Sequence, residues 1–273
     1  MSYSKKERLL KHANDGLELH FIRDINLEGK HVALGFHGLG GIGHLTSRMI
    51  VENAIKQGKG EKVGFVIGRM IPPFVEVLDE GYVGFPYELF MIENKVLILL
   101  IRIQPWLDDQ PILADIFTQF ASEKNVRSFI LFGGVDRNVF QNPTSDLPVV
   151  YVGNDLFMKK KNEIFEKFNF EYTPRGILVS GGISLFLEFA EYRNIPAVAF
   201  FSPTTKGILD KAGALKLAKE FIKLLNLTVD LSEVEEEIKT SSRLDLEELL
   251  REEADMEMIG RKGSDDDYSQ VFT

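Results

Sequence analysis

The chain's 273 residues are 44% hydrophobic and include 21 Phe, enough for a substantial core in one large α/β domain or two smaller ones. No Cys is present, which excludes disulfides, thiolate catalysis and cysteine metal sites and fits an intracellular, cytoplasmic protein. The net charge of −9 is concentrated: residues 231–273 hold 14 acidic and 5 basic side chains, whereas residues 1–230 hold 27 of each, so the body lacks the basic excess that nucleic-acid binding requires.

Along the chain, the opening MSYSKKERLLKHANDG has none of the apolar stretch and small-residue cleavage pattern of a secretory signal. Apolar runs bounded by turn residues then recur: HVALGF (31–36), KVGFVIG (62–68), KVLILLIRI (95–103), RSFILFGG (127–134), PVVYVG (148–153), GILVSG (176–181) and PAVAFF (196–201). They do not alternate with polar residues, as strands covered on both faces should not. The longest aliphatic run, VLILLI, is too short to cross a bilayer, and no membrane association is expected.

Helix-length amphipathic stretches lie between several of these runs: HLTSRMIVENAIKQ, DQPILADIFTQFASEK, NDLFMKKKNEIFEKF and GGISLFLEFAEYRN. Their alternation predicts an α/β fold, a mostly parallel sheet with helices on both faces. EVLDEGYVGFPYELFMIENK (76–95) interrupts the rhythm and reads as an antiparallel hairpin or edge insertion. In GILDKAGALKLAKEFIKLLN, Leu215, Leu217, Ala218, Phe221, Ile222 and Leu225 share one face, which predicts a helix closing the core domain of residues 1–230.

Residues 231–259 read as an acidic helical segment. Leu246, Leu250, Ala254 and Met258 recur every four residues with Leu249 beside them, a narrow apolar stripe expected to form an oligomer interface. Residues 260–273, RKGSDDDYSQVFT preceded by Gly260, have no periodicity and read as a flexible tail.

The chemistry-bearing motifs are few. Gly38, Gly40 and Gly43 of GLGGIG fit G-x-G-x-x-G between a strand and a helix, the context of a dinucleotide site. The strand KVGFVIG, however, ends in Arg69, Met70, Ile71 and two prolines and supplies no acidic residue for a ribose, although Arg69 could meet a 2′-phosphate. The favoured reading is a structural turn, with Gly38, Gly40, Gly41 and Gly43 letting a helix pack closely on the sheet. Neither Gly29-Lys30 nor Gly58-Lys59 is followed by the Ser or Thr of a phosphate loop, and neither Ser180 nor Ser184 sits in G-x-S-x-G. SGGIS reads as a second tight turn leading into a helix. The five His (12, 20, 31, 37 and 44) lack metal-ligand spacing, though His37 and His44 bracket the glycine turn and could face a pocket. Asp108-Asp109 before Gln110-Pro111 reads as helix capping. No catalytic residue, metal or cofactor is expected.

In their order along the chain, GLGGIG, PPFVEVLDEGYVGFPYELF, IRIQP, FGGV, SGGISLFLEFA and AGALKLAKEFIKLLNLTVDLSEVEEE resemble the proteasome assembly chaperone 2 family of archaeal and eukaryotic proteins. The resemblance spans residues 31 to about 240. It implies an α/β fold related to phosphorylases, a homo-oligomer such as a tetramer or pentamer, and binding to 20S proteasome α-subunits without catalysis. Activators of this kind often end in hydrophobic-Tyr-X, and this chain ends in Val271, Phe272 and Thr273. Phe272 keeps the aromatic ring and lacks the hydroxyl. These three residues are the expected proteasome contact. The alternative is an enzyme holding a nucleotide or phosphorylated substrate at residues 38–43.

Overall fold

The apolar runs become strands because helices cover the sheet from both sides. The structure, a computed structural model, describes residues 9–14, 16–68, 71, 73–78, 81–140, 147–165 and 168–241. The chain divides into two units, Met1–Leu231 and Ser232–Thr273. In the first, the strands are β1 (Leu9–Asn14), β2 (Leu17–Phe21), β3 (His31–Gly35), β4 (Gly60–Gly68), β5 (Glu76–Val77), β6 (Val83–Gly84), β7 (Tyr87–Ile92), β8 (Val96–Ile101), β9 (Ser128–Asp136), β10 (Val150–Gly153), β11 (Glu171–Tyr172) and β12 (Ala197–Thr204). The helices are α1 (Ile42–Lys56), α2 (Gln110–Glu123), α3 (Asp155–Ile164), α4 (Gly182–Tyr192) and α5 (Lys211–Leu224). In the second unit, residues 232–241 are helical, with Lys239 bridging Glu235 and Glu236 one turn away.

Among the described residues ten strands form one mixed sheet in the order β1-β2-β4-β7-β8-β3-β9-β12-β10-β11. Its core is parallel: β8, β3, β9 and β12 run the same way, with His31 opposite both Val96 and Ser128 and Ala197 opposite Phe129. From β1 to β8 the neighbours are antiparallel. The run 62–68 therefore belongs to a meander, and the sheet is parallel through β8, β3, β9 and β12 and again between β10 and β11 at its edge. A two-residue hairpin of β5 and β6 stands apart from the main sheet. Of the two readings of 76–95, the antiparallel hairpin holds, in β5 with β6 and in β7 with β8; the edge insertion does not, since β7 lies between β4 and β8 with every residue buried.

Helices α2 and α4 pack together on one face of the sheet, where Phe117, Phe120 and Phe186 meet Leu34, Leu99 and Phe129. Helices α1 and α5 pack together on the other, where Phe221 meets Phe132 edge to face at 4.9 Å. Each face is thus apolar, which is why the central strands read as continuous hydrophobic runs. GILVSG is the exception. Residues 177–180 form no strand; Ile177 and Val179 pack on the α2 and α4 side of the core from an irregular segment leading into α4. No helix among the described residues is long and apolar enough to cross a membrane.

Candidate functional site

Four chain segments meet where the central strands end. β3 runs first, β8 is placed on one side of it and β9 on the other, so the strand order reverses between β3 and β9. In open α/β sheets the crevice beyond the carboxyl ends of such strands is where ligands bind. A cleft of about 440 Å³ occupies that position, lined from the β3–α1 turn, the segment before α2, the end of β9 and the segment 177–183 before α4.

The β3–α1 turn is GLGGIG. Gly40 and Gly41 have φ of 65° and 64°, the left-handed region that glycine adopts at least cost. A Cβ on Gly43 would lie 2.3 Å from the Phe132 carbonyl oxygen and 2.7 Å from that of Phe36, and one on Gly35 would lie 2.1 Å from the Gly43 oxygen. The first turn of α1 thus presses backbone to backbone on β3 and β9. Above the turn, Gly40 abuts the Thr204 side chain and Gly41 the Leu209 side chain, each 2.6 Å from an added Cβ. Gly38 meets nothing within 4 Å and has φ of −101°, so no steric demand falls on it.

His37 and His44 come together across this turn, their rings stacked with centroids 3.9 Å apart. The His44 Nδ1–H donates to the Ile101 carbonyl at 2.8 Å, and burial holds its pKa below the ordinary imidazole value. His37 lines the cleft, makes no side-chain hydrogen bond among the described residues, and has Nδ1 shut away from solvent. Burial, aided by neighbouring His44, lowers its pKa to about 4, so the ring is neutral at physiological pH. Its backbone N–H donates to Gln104 Oε1 at 2.9 Å, which ties the glycine turn to the segment before α2.

Asp109 occupies the N-cap position of α2 but makes no capping bond. It is buried with Oδ2 unpartnered, and burial followed by the charge of Asp108 raises its pKa, so the capping expectation fails for this side chain. SGGIS does turn sharply into a helix: Gly181 has φ of 72°, a Cβ on Gly182 would strike the Phe36 ring at 2.3 Å, and the Ser184 hydroxyl donates to the Gly181 carbonyl. Asp136 closes the cleft on the β9 side, its Oδ1 accepting from the Asn138 N–H at 2.9 Å. Among the described residues it is the one charged group in the lining, which includes no Lys or Arg there.

A partly buried chain of charges links α1, β4, β5 and β7. Arg102 donates to Glu88 at 2.9 Å and to Glu76 at 2.6 Å, Glu76 is also paired with Arg48 at 2.8 Å, and Glu88 with Lys62. Glu88 sits within the apolar run of β7, the only signal the sequence carried. Among the described residues no group of His, Asp or Glu could hold a metal ion. Val271, Phe272 and Thr273, and the stripe Leu246, Leu249, Leu250, Ala254 and Met258, lie outside the described residues, as does Arg69.

An open mixed sheet covered on both faces, with a cleft at its switch point bordered by two glycine turns, defines the chain as an α/β protein. The sequence model of the PAC2 family matches residues 32–260, and the chain belongs to that family. An uncharacterized protein of Methanocaldococcus jannaschii is 25% identical over 218 residues, covering 78% of this chain and 82% of its own. The fold is similar to that of Pyrococcus furiosus PbaA, an archaeal homolog of proteasome-assembly chaperone, with a TM-score of 0.69 at 17% identity over 90% of this chain and 96% of that one. It is also similar to P. furiosus PbaB, an archaeal proteasome activator, with a TM-score of 0.67 at 18% identity over 87% and 98%.

Proposed function

We propose that this protein is a homo-oligomeric, ATP-independent proteasome assembly chaperone or activator that docks on the α-ring of the 20S proteasome through Val271, Phe272 and Thr273. The observation that carries this reading is membership of the PAC2 family together with a fold that spans nearly all of PbaA and PbaB. The glycine turn supports it by default of the alternative. Thr204 and Leu209 cover the backbone that a pyrophosphate would approach, and the adjoining cleft has no Lys or Arg among its described lining residues.

Affinity sets the stoichiometry. Burying the Val271 and Phe272 side chains is worth about 1.5 to 3 kcal/mol each, whereas association costs roughly 4 to 15 kcal/mol. One tail binds weakly, and several tails on one oligomer bind usefully. The stripe through Leu250 supplies that oligomer.

The test compares full-length protein with a variant lacking residues 271–273 and with Leu250→Asp, measuring size by light scattering, binding to 20S particles, and hydrolysis of a gated peptide. Deletion of 271–273 should abolish binding and gating while oligomer size is kept; Leu250→Asp should reduce size and binding together. Unchanged 20S binding after the deletion would move the contact to the globular body, and a wild-type monomer at micromolar concentration would remove the multivalent argument.

A further inference from the structure

The cleft at the β3/β9 switch point plays no part in tail docking, and its lining has a consistent chemistry. At about 440 Å³ it has the volume of a small-molecule site. Phe36, Leu39, Val139, Ile177 and Phe201 give it an apolar wall. Among the described residues its one charge is the Asp136 carboxylate, whose Oδ1 is fixed by the Asn138 N–H, leaving Oδ2 without a hydrogen bond there. The His37 imidazole, also in the lining, stacks on His44, and its Nδ1 is occluded and unpartnered. Its ring is half-buried, and its occluded Nδ1 is a polar atom left without a partner, which is costly.

We infer that this cleft binds a small molecule with an apolar body and a hydrogen-bond-donating amine or amide nitrogen, the nitrogen directed at Asp136 and the body packed beside His37. An anionic ligand is disfavoured, since a phosphate or carboxylate would face Asp136 with no Lys or Arg among the described lining residues to offset the repulsion. The cleft therefore accepts the opposite of what its glycine-rich turn advertises. A cationic nitrogen forms a charge-assisted hydrogen bond with the carboxylate, a neutral amide an ordinary one, so the expected ranking is amine, then amide, then acid.

Four probes on the full-length protein test this: tryptamine, indole-3-acetamide and indole-3-acetate, which share an indole body and differ in headgroup charge, and AMP. Dissociation constants are measured by ligand-observed NMR titration at pH 7. Tryptamine should bind at least tenfold more tightly than indole-3-acetate, with the amide between them and AMP unbound. Asp136→Asn keeps an oxygen to accept from the Asn138 N–H and removes the charge; it should erase the tenfold preference while the amide still binds. Val139→Arg, at an exposed position in the lining, should invert the preference toward indole-3-acetate. Absence of binding by every probe at millimolar concentration, tighter binding of AMP or the acetate to wild type, or a tryptamine preference unchanged in both variants would overturn the proposal.

Discussion

Replacing Gly43 with Ala adds one methyl group at a place where nothing can move aside cheaply. The new Cβ would sit 2.3 Å from the Phe132 oxygen and 2.7 Å from the Phe36 oxygen, and both are backbone atoms of the central sheet or its first turn. A side chain that rotates away relieves such a contact; a carbonyl paired in a sheet does not. Overpacking of this kind costs typically 1 to 3 kcal/mol and occasionally more, and the rigid partners place Gly43→Ala at about 3 kcal/mol. For a unit of this size each kcal/mol lowers Tm by roughly 2 to 4 °C, so thermal unfolding followed by circular dichroism should show a fall of roughly 6 to 12 °C. Gly38→Ala, in the same motif, adds a methyl with no neighbour within 4 Å at an ordinary φ, and its effect should stay within about 0.5 kcal/mol. Equal Tm values for the two variants would refute the argument that α1 is seated by backbone contact at Gly43.

Two further outcomes follow from buried polar groups. His31 donates to or accepts from Ser128 Oγ at 2.8 Å and its pKa is lowered to about 4, first by burial and then by Arg127. The unfolded imidazole titrates near 6.5, so unfolding takes up a proton between these values and stability falls as pH drops from about 6.5 to 4, by an amount of order 3 kcal/mol. Urea melts at pH 7, 5.5 and 4.5 should show this loss, and His31→Gln should shrink it; an identical pH slope in the variant would count against it. Arg102→Met leaves Glu88, 3% exposed, with Lys62 as its partner, and should cost about 1 to 3 kcal/mol, partly recovered when Glu88→Leu is added. A single variant as stable as wild type by denaturant melts would mean the chain of charges is not needed.

How far the residues disclosed this structure depended on the range of the forces involved. Helices α1, α2 and α5 and the strands around Val32, Leu97, Phe129 and Ala199 follow from local periodicity and burial. The segment at 177–180 has a strand's composition for another reason: Ile177 and Val179 pack against the core without pairing to a neighbour. β2 is legible from its alternation, with Leu17, Leu19 and Phe21 buried and His20 and Glu18 half-buried between them. The pairing of β4 with β2 and β7, and the link from Arg102 to Glu88 and Glu76, join residues brought together only by the sheet, and no spacing encodes them. The same holds for the cleft, where the His37 and His44 pair was foreseen as flanking the turn but Asp136 was not.

The two halves of the sheet differ in how much chain must be gathered before they form. β7 and β8 are joined by a turn at 92–95 whose central residues Glu93 and Asn94 both have positive φ, the geometry that suits the twist of a tight hairpin. β3 must instead find β8 across the whole meander and β9 from still farther along the chain. Closing long loops precedes any reward from their contacts, so the antiparallel half assembles first and the free edge of β8 becomes the template on which β3, then β9 and β12, dock. Mutational φ-values at Leu99 should accordingly exceed those at Ala199. The cleft, built at the last strands to arrive, comes into being only when folding is nearly complete, and partly folded chains carry the hairpin without the site.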